Sequence, residues 1–332
     1  MKYNIFNSDI MNPYMVYDNY VMDSFEFESG MVLENVNVEY ETRGVPEYDE
    51  NGNVTNAILY CPTLKGGHSI LGKYHDIIYA ADKDNYFFIK ITSLGAPDSC
   101  SPSSTGLKYD FPSYTIKDRV NFKRQFLAEK FNIHKVLGIV GEGTGGFEAY
   151  TWAADYADEM EFILVLNSTY KTYGHRYVQV KVAEAIIDSC DDFYGEGYSV
   201  SLSKLIVAIS RLMFMNHFSQ KTFELLSNDE LDVLMDDYVD EGLFMDIYDF
   251  KSRNDCLLEY DVEDKLQNIK AKSLIIGIDD YLSFNTHKDI LPLKDLIKDS
   301  KIVVIKDKET IYDEPDYSDL ALEVVSFLKQ FK

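Results

Sequence analysis

Apolar and polar positions alternate in two ways along this chain, and the change from one to the other predicts where a sheet meets solvent and where it is covered. Residues 31–44 (MVLENVNVEYETRG) set Val and Tyr against acidic or amide neighbours with a period of two. That pattern predicts a half-exposed, antiparallel strand after a polar leader. Stretches 56–64 (NAILYCPTL) and 86–95 (YFFIKITSLG) are near-continuous apolar runs ending in Pro or Gly, as expected of strands covered on both faces in a parallel sheet. Between them, 74–85 (YHDIIYAADKDN) has the length and residue types of a crossover helix.

From Tyr114 to Phe131 the period lengthens. Ile116, Val120, Leu127 and Phe131 recur at helical spacing, with Asp, Lys, Arg and Glu assigned to the opposite, solvent-facing side. A strand at 135–141 (KVLGIVG), the turn GEGTGG, a helix at 147–157 and a strand at 161–169 complete a β-turn-α-β unit. Right-handed crossover logic puts its strands in one parallel sheet. Residues 170–267 then give several helical patterns and no strand, the most apolar being 202–218 (LSKLIVAISRLMFMNHF). The sheet pattern returns at 272–278, followed by a helix at 287–299, a strand at 301–307 and a terminal helix at 317–331. The expected fold class is α/β, a mostly parallel sheet with helices on both faces. Its core is discontinuous, 1–169 and 270–332, with a helical lid at 170–269.

Composition narrows the function classes. With 332 residues and 46% apolar content, the chain can bury a large core without a metal or disulfide. A formal charge of −24, from 56 acidic and 32 basic residues, repels phosphate backbones and anionic lipid, so neither nucleic acid nor membrane is an expected partner. Cys61, Cys100, Cys190 and Cys256 are widely spaced and form no CxxC or Cys/His cluster, which signals no metal and fits reduced thiols in the cytoplasm. The N-terminal stretch lacks an apolar h-region, and no run reaches the ~18 apolar residues of a membrane span.

The hexapeptide Gly141-Glu142-Gly143-Thr144-Gly145-Gly146 lies between a predicted strand and helix, where a nucleophile elbow of the form GxSxG would sit. Gly141 and Gly145 supply the small flanks, while Gly143 occupies the centre and offers no side-chain oxygen. A phosphate-binding loop is a second reading of the glycines. It is disfavoured because the turn has no P-loop Lys, misses GxGxxG spacing and carries Glu142. Thr144 is a displaced-nucleophile candidate, although its backbone N–H is better placed as an oxyanion-hole donor.

Around this turn the chain resembles the homoserine O-acetyltransferase branch of the α/β-hydrolases, from about residue 30 to the C-terminus. Residues 92–120 resemble that family's Gly-rich turn and FPxxTIxD segment, and 140–158 (VGEGTGGFEAYTWAADYAD) resemble its GGSMGGMxALEWAxxYPD elbow. Residues 248–262 and 272–284 resemble its closing lid helix and GIDSDWLF strand end. The resemblance puts Gly143 at the nucleophile position, Asp280 at the triad acid and Tyr312 at the triad histidine. It puts Leu64 and Thr144 at the oxyanion hole, and Arg211 and Asp313 at substrate-contacting positions. Arg211 suits a carboxylate and Asp313 an ammonium, together a small amino-acid-like ligand.

What the resemblance keeps and loses predicts a catalytically silent relative. Acyl transfer needs an activated nucleophile and a base. Glycine provides none, a tyrosine with an unperturbed pKa of ~10 is a poor base, and loss of Ser or His from such a triad costs roughly a millionfold in turnover. No bound cofactor is expected, and acetyl-CoA would be a co-substrate only in an active enzyme. The alternatives are an active acyltransferase or hydrolase using Cys61 (with His68 or His75), Cys100 or Thr144, and a homodimeric interaction protein joined through the lid helices.

Overall fold

The computed structural model describes residues 15–62, 86–195, 199–216, 218, 220–242, 245–279, 284–306 and 318–331. The expected helix at 74–85 lies outside these. The strands are β1 (Met15–Glu26), β2 (Val32–Arg43), β3 (Ala57–Cys61), β4 (Phe87–Ile91), β5 (Gly138–Glu142), β6 (Phe162–Leu166), β7 (Lys272–Ile278) and β8 (Ser300–Ile305). They form one sheet in the order β1-β2-β4-β3-β5-β6-β7-β8. The ladders from β4 through β8 are parallel, and β2 pairs antiparallel with both β1 and β4.

The central strands are buried at every position because both faces are covered. Along β6 the side chains alternate between two cores: Ile163 and Val165 join one, Phe162, Leu164 and Leu166 the other. Helices α1 (Ile116–Phe131) and α2 (Thr144–Asp155) build the first core through Val120, Phe126, Phe147 and Trp152. The second core is closed by a C-terminal helix (Ser318–Leu328) through Val324, Phe327 and Leu328.

Between β6 and β7 the described chain is helical apart from a bridge at its stem. Its long helices are α3 (Gly174–Asp188), α4 (Val200–Phe214), α5 (Asn228–Gly242) and α6 (Ile247–Leu258); the Ser318–Leu328 helix is α7. This insertion has a core of its own, including Ala183, Ile187, Phe193, Leu205, Ile209 and Tyr248. Lys171 bridges antiparallel to Asp261, and Thr172 N–H donates to Tyr260 O at 2.7 Å, so the two chain crossings are tied together where they leave the sheet. No described helix is long and apolar enough to cross a membrane.

Three expectations are corrected. Residues 15–26, within the supposed polar leader, form an edge strand: Met22 and Phe25 turn inward while Val16, Tyr17 and Val21 stay exposed, a mixture that an edge position tolerates. The helix expected at 287–299 is broken. A π-type turn (Thr286–Ile290) capped by Asn285 gives way at Pro292, which cannot donate a backbone hydrogen bond, to a short helix (Leu293–Leu296). On α1 the side read as solvent-facing is partly interior, since Asp118, Arg119 and Lys123 are all buried.

Phe162 shows how tightly strand and helix are fitted. A Cβ on Gly138 would stand 2.1 Å from the Phe162 ring, and that ring packs edge-on against Phe327 with centroids 5.6 Å apart. Phe162→Ala is expected to destabilise the protein by about 3–5 kcal/mol, measured by urea denaturation.

Candidate functional site

The chain leaves β5 and enters α2 through a single residue, Gly143, with φ 53 and ψ −116. Positive φ is costly for a residue with a Cβ and free for glycine. Gly143 N–H donates to Leu166 O at 3.1 Å, and its carbonyl accepts from Gly146 N–H at 3.1 Å and Ser168 Oγ at 2.6 Å, so the bend is held from both neighbours. The flanking glycines are demanded by crowding. A Cβ on Gly145 would lie 2.0 Å from the Cys61 carbonyl oxygen, one on Gly141 would lie 2.5 Å from Gly145 O, and one on Gly146 would meet Ser168 Oγ at 2.3 Å. Strand β3, the bend and the first turn of α2 therefore approach as closely as backbone allows.

Thr144 opens α2 directly after the bend and is 7% exposed. Its Oγ1 is buried with no hydrogen-bond partner among the described residues. Cys61 closes β3 with no exposed surface, and burial pushes its thiol up to about 12. Burial raises Cys100 to about 12 as well. Neither thiol is a nucleophile near neutral pH. His134, His175 and His287 are exposed, and none of the three hydrogen-bonds a serine, threonine or cysteine among the described residues. No described cluster of His, Cys, Asp and Glu has metal-binding geometry.

Leu64, Asp280, Tyr312 and Asp313 lie outside the described residues, as do His68, His75 and His217. Arg211 stands on α4, where its Nη2 lies 3.6 Å from Asp236 Oδ1 on α5; the side chains are 54% and 72% exposed. The insertion reaches the bend through aromatic contacts. Phe147, four residues past Gly143, stacks on Tyr260 with centroids 4.2 Å apart, and the Arg176 guanidinium lies 4.0 Å from the Phe284 ring.

Directly behind the bend is a charged cluster that the periodicity concealed. Glu148 of α2 is fully buried and receives Arg119 Nη2 at 2.5 Å, Ser93 Oγ at 3.0 Å and the Lys123 ammonium; Lys123 also donates to Ser93 Oγ at 2.8 Å. Burial alone would raise the Glu148 carboxyl, but Arg119 and Lys123 outweigh it and hold the group below its ordinary value. A signal was present in the sequence. Arg119 and Lys123 follow Ile116 by three and seven residues, inside the buried stripe, and Glu148 is a lone charge in the apolar run FEAYTWAA.

Two outcomes follow from these environments. Glu148→Ala leaves two buried cations facing each other and is expected to cost about 3–5 kcal/mol in urea denaturation. Because the folded pKa of Glu148 is depressed, its contribution is complete above the ordinary Glu value and is lost as pH falls through the lower folded value. Native protein is expected to leave Cys61 and Cys100 unmodified by iodoacetamide at mildly alkaline pH, with modification appearing by mass spectrometry only on unfolding.

No family model matches the chain. It is 36% identical over 284 residues to a protein of Methanothermobacter thermautotrophicus named as a probable acyltransferase, covering 85% of this chain and 88% of that one. It is 28% identical over 320 residues to a homoserine O-acetyltransferase of Methanobrevibacter ruminantium; the match covers 82% of this chain and 64% of that protein's length. Among solved structures, an acetylester hydrolase from Corynebacterium glutamicum superposes with a TM-score of 0.78 over 95% of both chains at 22% identity, a likeness that carries the fold. With the sheet order and the bend after β5, these matches identify the chain as a member of the homoserine O-acyltransferase-like family of α/β-hydrolase-fold proteins.

Proposed function

We propose that this protein binds a small amino-acid-like ligand in the manner of a homoserine O-acyltransferase but does not transfer an acyl group through a covalent intermediate. The observation that carries the reading is Gly143: the backbone keeps the bent geometry that presents a nucleophile, and the residue there has no side chain. The alternative nucleophiles are poor, since Cys61 and Cys100 are buried thiols at about 12 and the Thr144 hydroxyl is enclosed. In this reading Asp280 holds the triad acid position, Tyr312 replaces the base, and Leu64 and Thr144 supply backbone donors. Arg211 and Asp313 meet the ligand's carboxylate and ammonium. Arg211 is free to do so because its partner Asp236 is largely exposed, and a pair so solvated holds it weakly.

A second reading, active acyl transfer or ester hydrolysis with a non-standard nucleophile, is favoured by the name of the 36% identical relative, a probable acyltransferase. One experiment separates the two. Purified protein is mixed with homoserine and acetyl-CoA, free CoA thiol is followed, and the intact protein mass is read. The expected result is thiol release at the rate of the protein-free control and no adduct, while homoserine or an O-acyl ester raises the melting temperature. A saturating ligand at 100 times its Kd contributes about 2.7 kcal/mol. An acyl adduct on Thr144, Cys61 or Cys100, or family-like turnover, would establish the second reading instead.

A further inference from the structure

The end of α2 away from the bend borders a cavity of about 360 Å³. Its floor is apolar: Phe25, Leu127, Ile133, Val136 and Trp152 line it, and none of them is more than 3% exposed. Glu26 and His134 also line it and are exposed, so the cavity opens to solvent on their side. Trp152 follows Thr144 by eight residues on α2, about 12 Å along a helix that rises 1.5 Å per residue. The cavity is therefore separate from the site at Gly143.

One wall is held in place without a ligand. Glu159 receives Arg124 Nη2 at 2.5 Å on one carboxylate oxygen, and Arg124 Nε at 2.9 Å and Trp152 Nε1 at 2.8 Å on the other. The Arg124 guanidinium also lies 3.5 Å from the centre of the Tyr156 ring. Both charges of this pair are spent on each other, and the indole they fix is part of the floor. Glu26 differs, since its carboxylate has no hydrogen bond or ion pair among the described residues. Lysines close in sequence are engaged elsewhere: Lys135 pairs with Glu161 at 3.3 Å, and the Lys130 ammonium lies 5.5 Å from the Tyr20 and Tyr40 rings. Gln125 Nε2 donates to Ser24 O and to Glu129 Oε1, both at 2.8 Å, which leaves its carbonyl oxygen as an acceptor. The net charge of −24 concentrates cations at the surface and repels anions.

We propose that this cavity binds a small organic cation, an amine whose apolar body is about the size of one aromatic ring, with the body on the Trp152 floor and the ammonium met by Glu26 and the Gln125 carbonyl oxygen. The volume sets the size, since small-molecule sites span roughly 300–1,000 Å³ and this one is near the lower end. The floor and the open carboxylate set the chemistry. An inorganic cation would leave the apolar surface wet, and an organic anion would meet Glu26. Binding here does not depend on the ligand-binding reading of Gly143, so each stands without the other.

Trp152 is the single tryptophan of the chain, so its fluorescence reports on the cavity directly. The whole protein is titrated at constant ionic strength with phenethylamine, with phenethyl alcohol as the neutral analogue and with 3-phenylpropionate as the anionic one. Phenethylamine is expected to change the emission saturably and to bind at least about tenfold more tightly than 3-phenylpropionate, a difference of about 1.4 kcal/mol. Glu26→Gln, at an exposed position, is expected to weaken the amine at least about threefold and to leave the alcohol unchanged. Ala128→Phe, which fills the cavity from α1, is expected to abolish the response to both. The absence of a saturable change, equal affinity for amine and anion, or an Ala128→Phe titration that matches the unaltered protein would overturn the proposal.

Discussion

The carbonyl oxygen of Cys61 leaves no space for a side chain at residue 145, and much of the structure around the site answers to that contact. Because β3 and α2 meet backbone to backbone, the connection from β5 must turn within one residue, and Gly143 takes a positive φ to make the turn. Ser168 and Gly146 hold the resulting carbonyl orientation. The same close approach places Glu148 within reach of Arg119 and Lys123 on α1 and of Ser93 just after β4, which meet its charge.

These constraints are what a nucleophile elbow requires, and the residue at the centre of this one is glycine. A strained bend with glycine at its centre is inexpensive, since the strain falls on the one residue that does not feel it. Retaining the bend is thus required by packing of β3, β5 and α2 whether or not a reaction takes place there. That separates two questions that family membership tends to merge. Fold and ancestry follow from the sheet and the matched relatives, whereas activity depends on side chains at a handful of positions.

The sheet was legible because fully covered strands leave continuous apolar runs: 56–64, 86–95, 135–141, 161–169 and 272–278 each contain a strand. The turn was legible because its glycines are consecutive and sit between such a run and a helix. Strand β1 was not, since an edge position lets Asp18, Asn19 and Asp23 break the pattern. The buried cluster escaped for a deeper reason. Their spacing from Ile116 puts Arg119 and Lys123 in the buried stripe, but their polarity assigns them to solvent; the matching carboxylate on another element, Glu148, makes their burial tolerable, and the pairing spans 25 residues or more. The break at Pro292 was in plain view and was overridden by the apolar residues around it.

The central claim is that the bend presents no attacking atom. It is tested most directly by exposing native protein to a fluorophosphonate, which phosphonylates activated serine and threonine hydroxyls, and weighing the product. The account predicts an unchanged intact mass at stoichiometric reagent. A single phosphonyl group per chain, mapped by peptide sequencing to any residue at the mouth of the sheet, would contradict it.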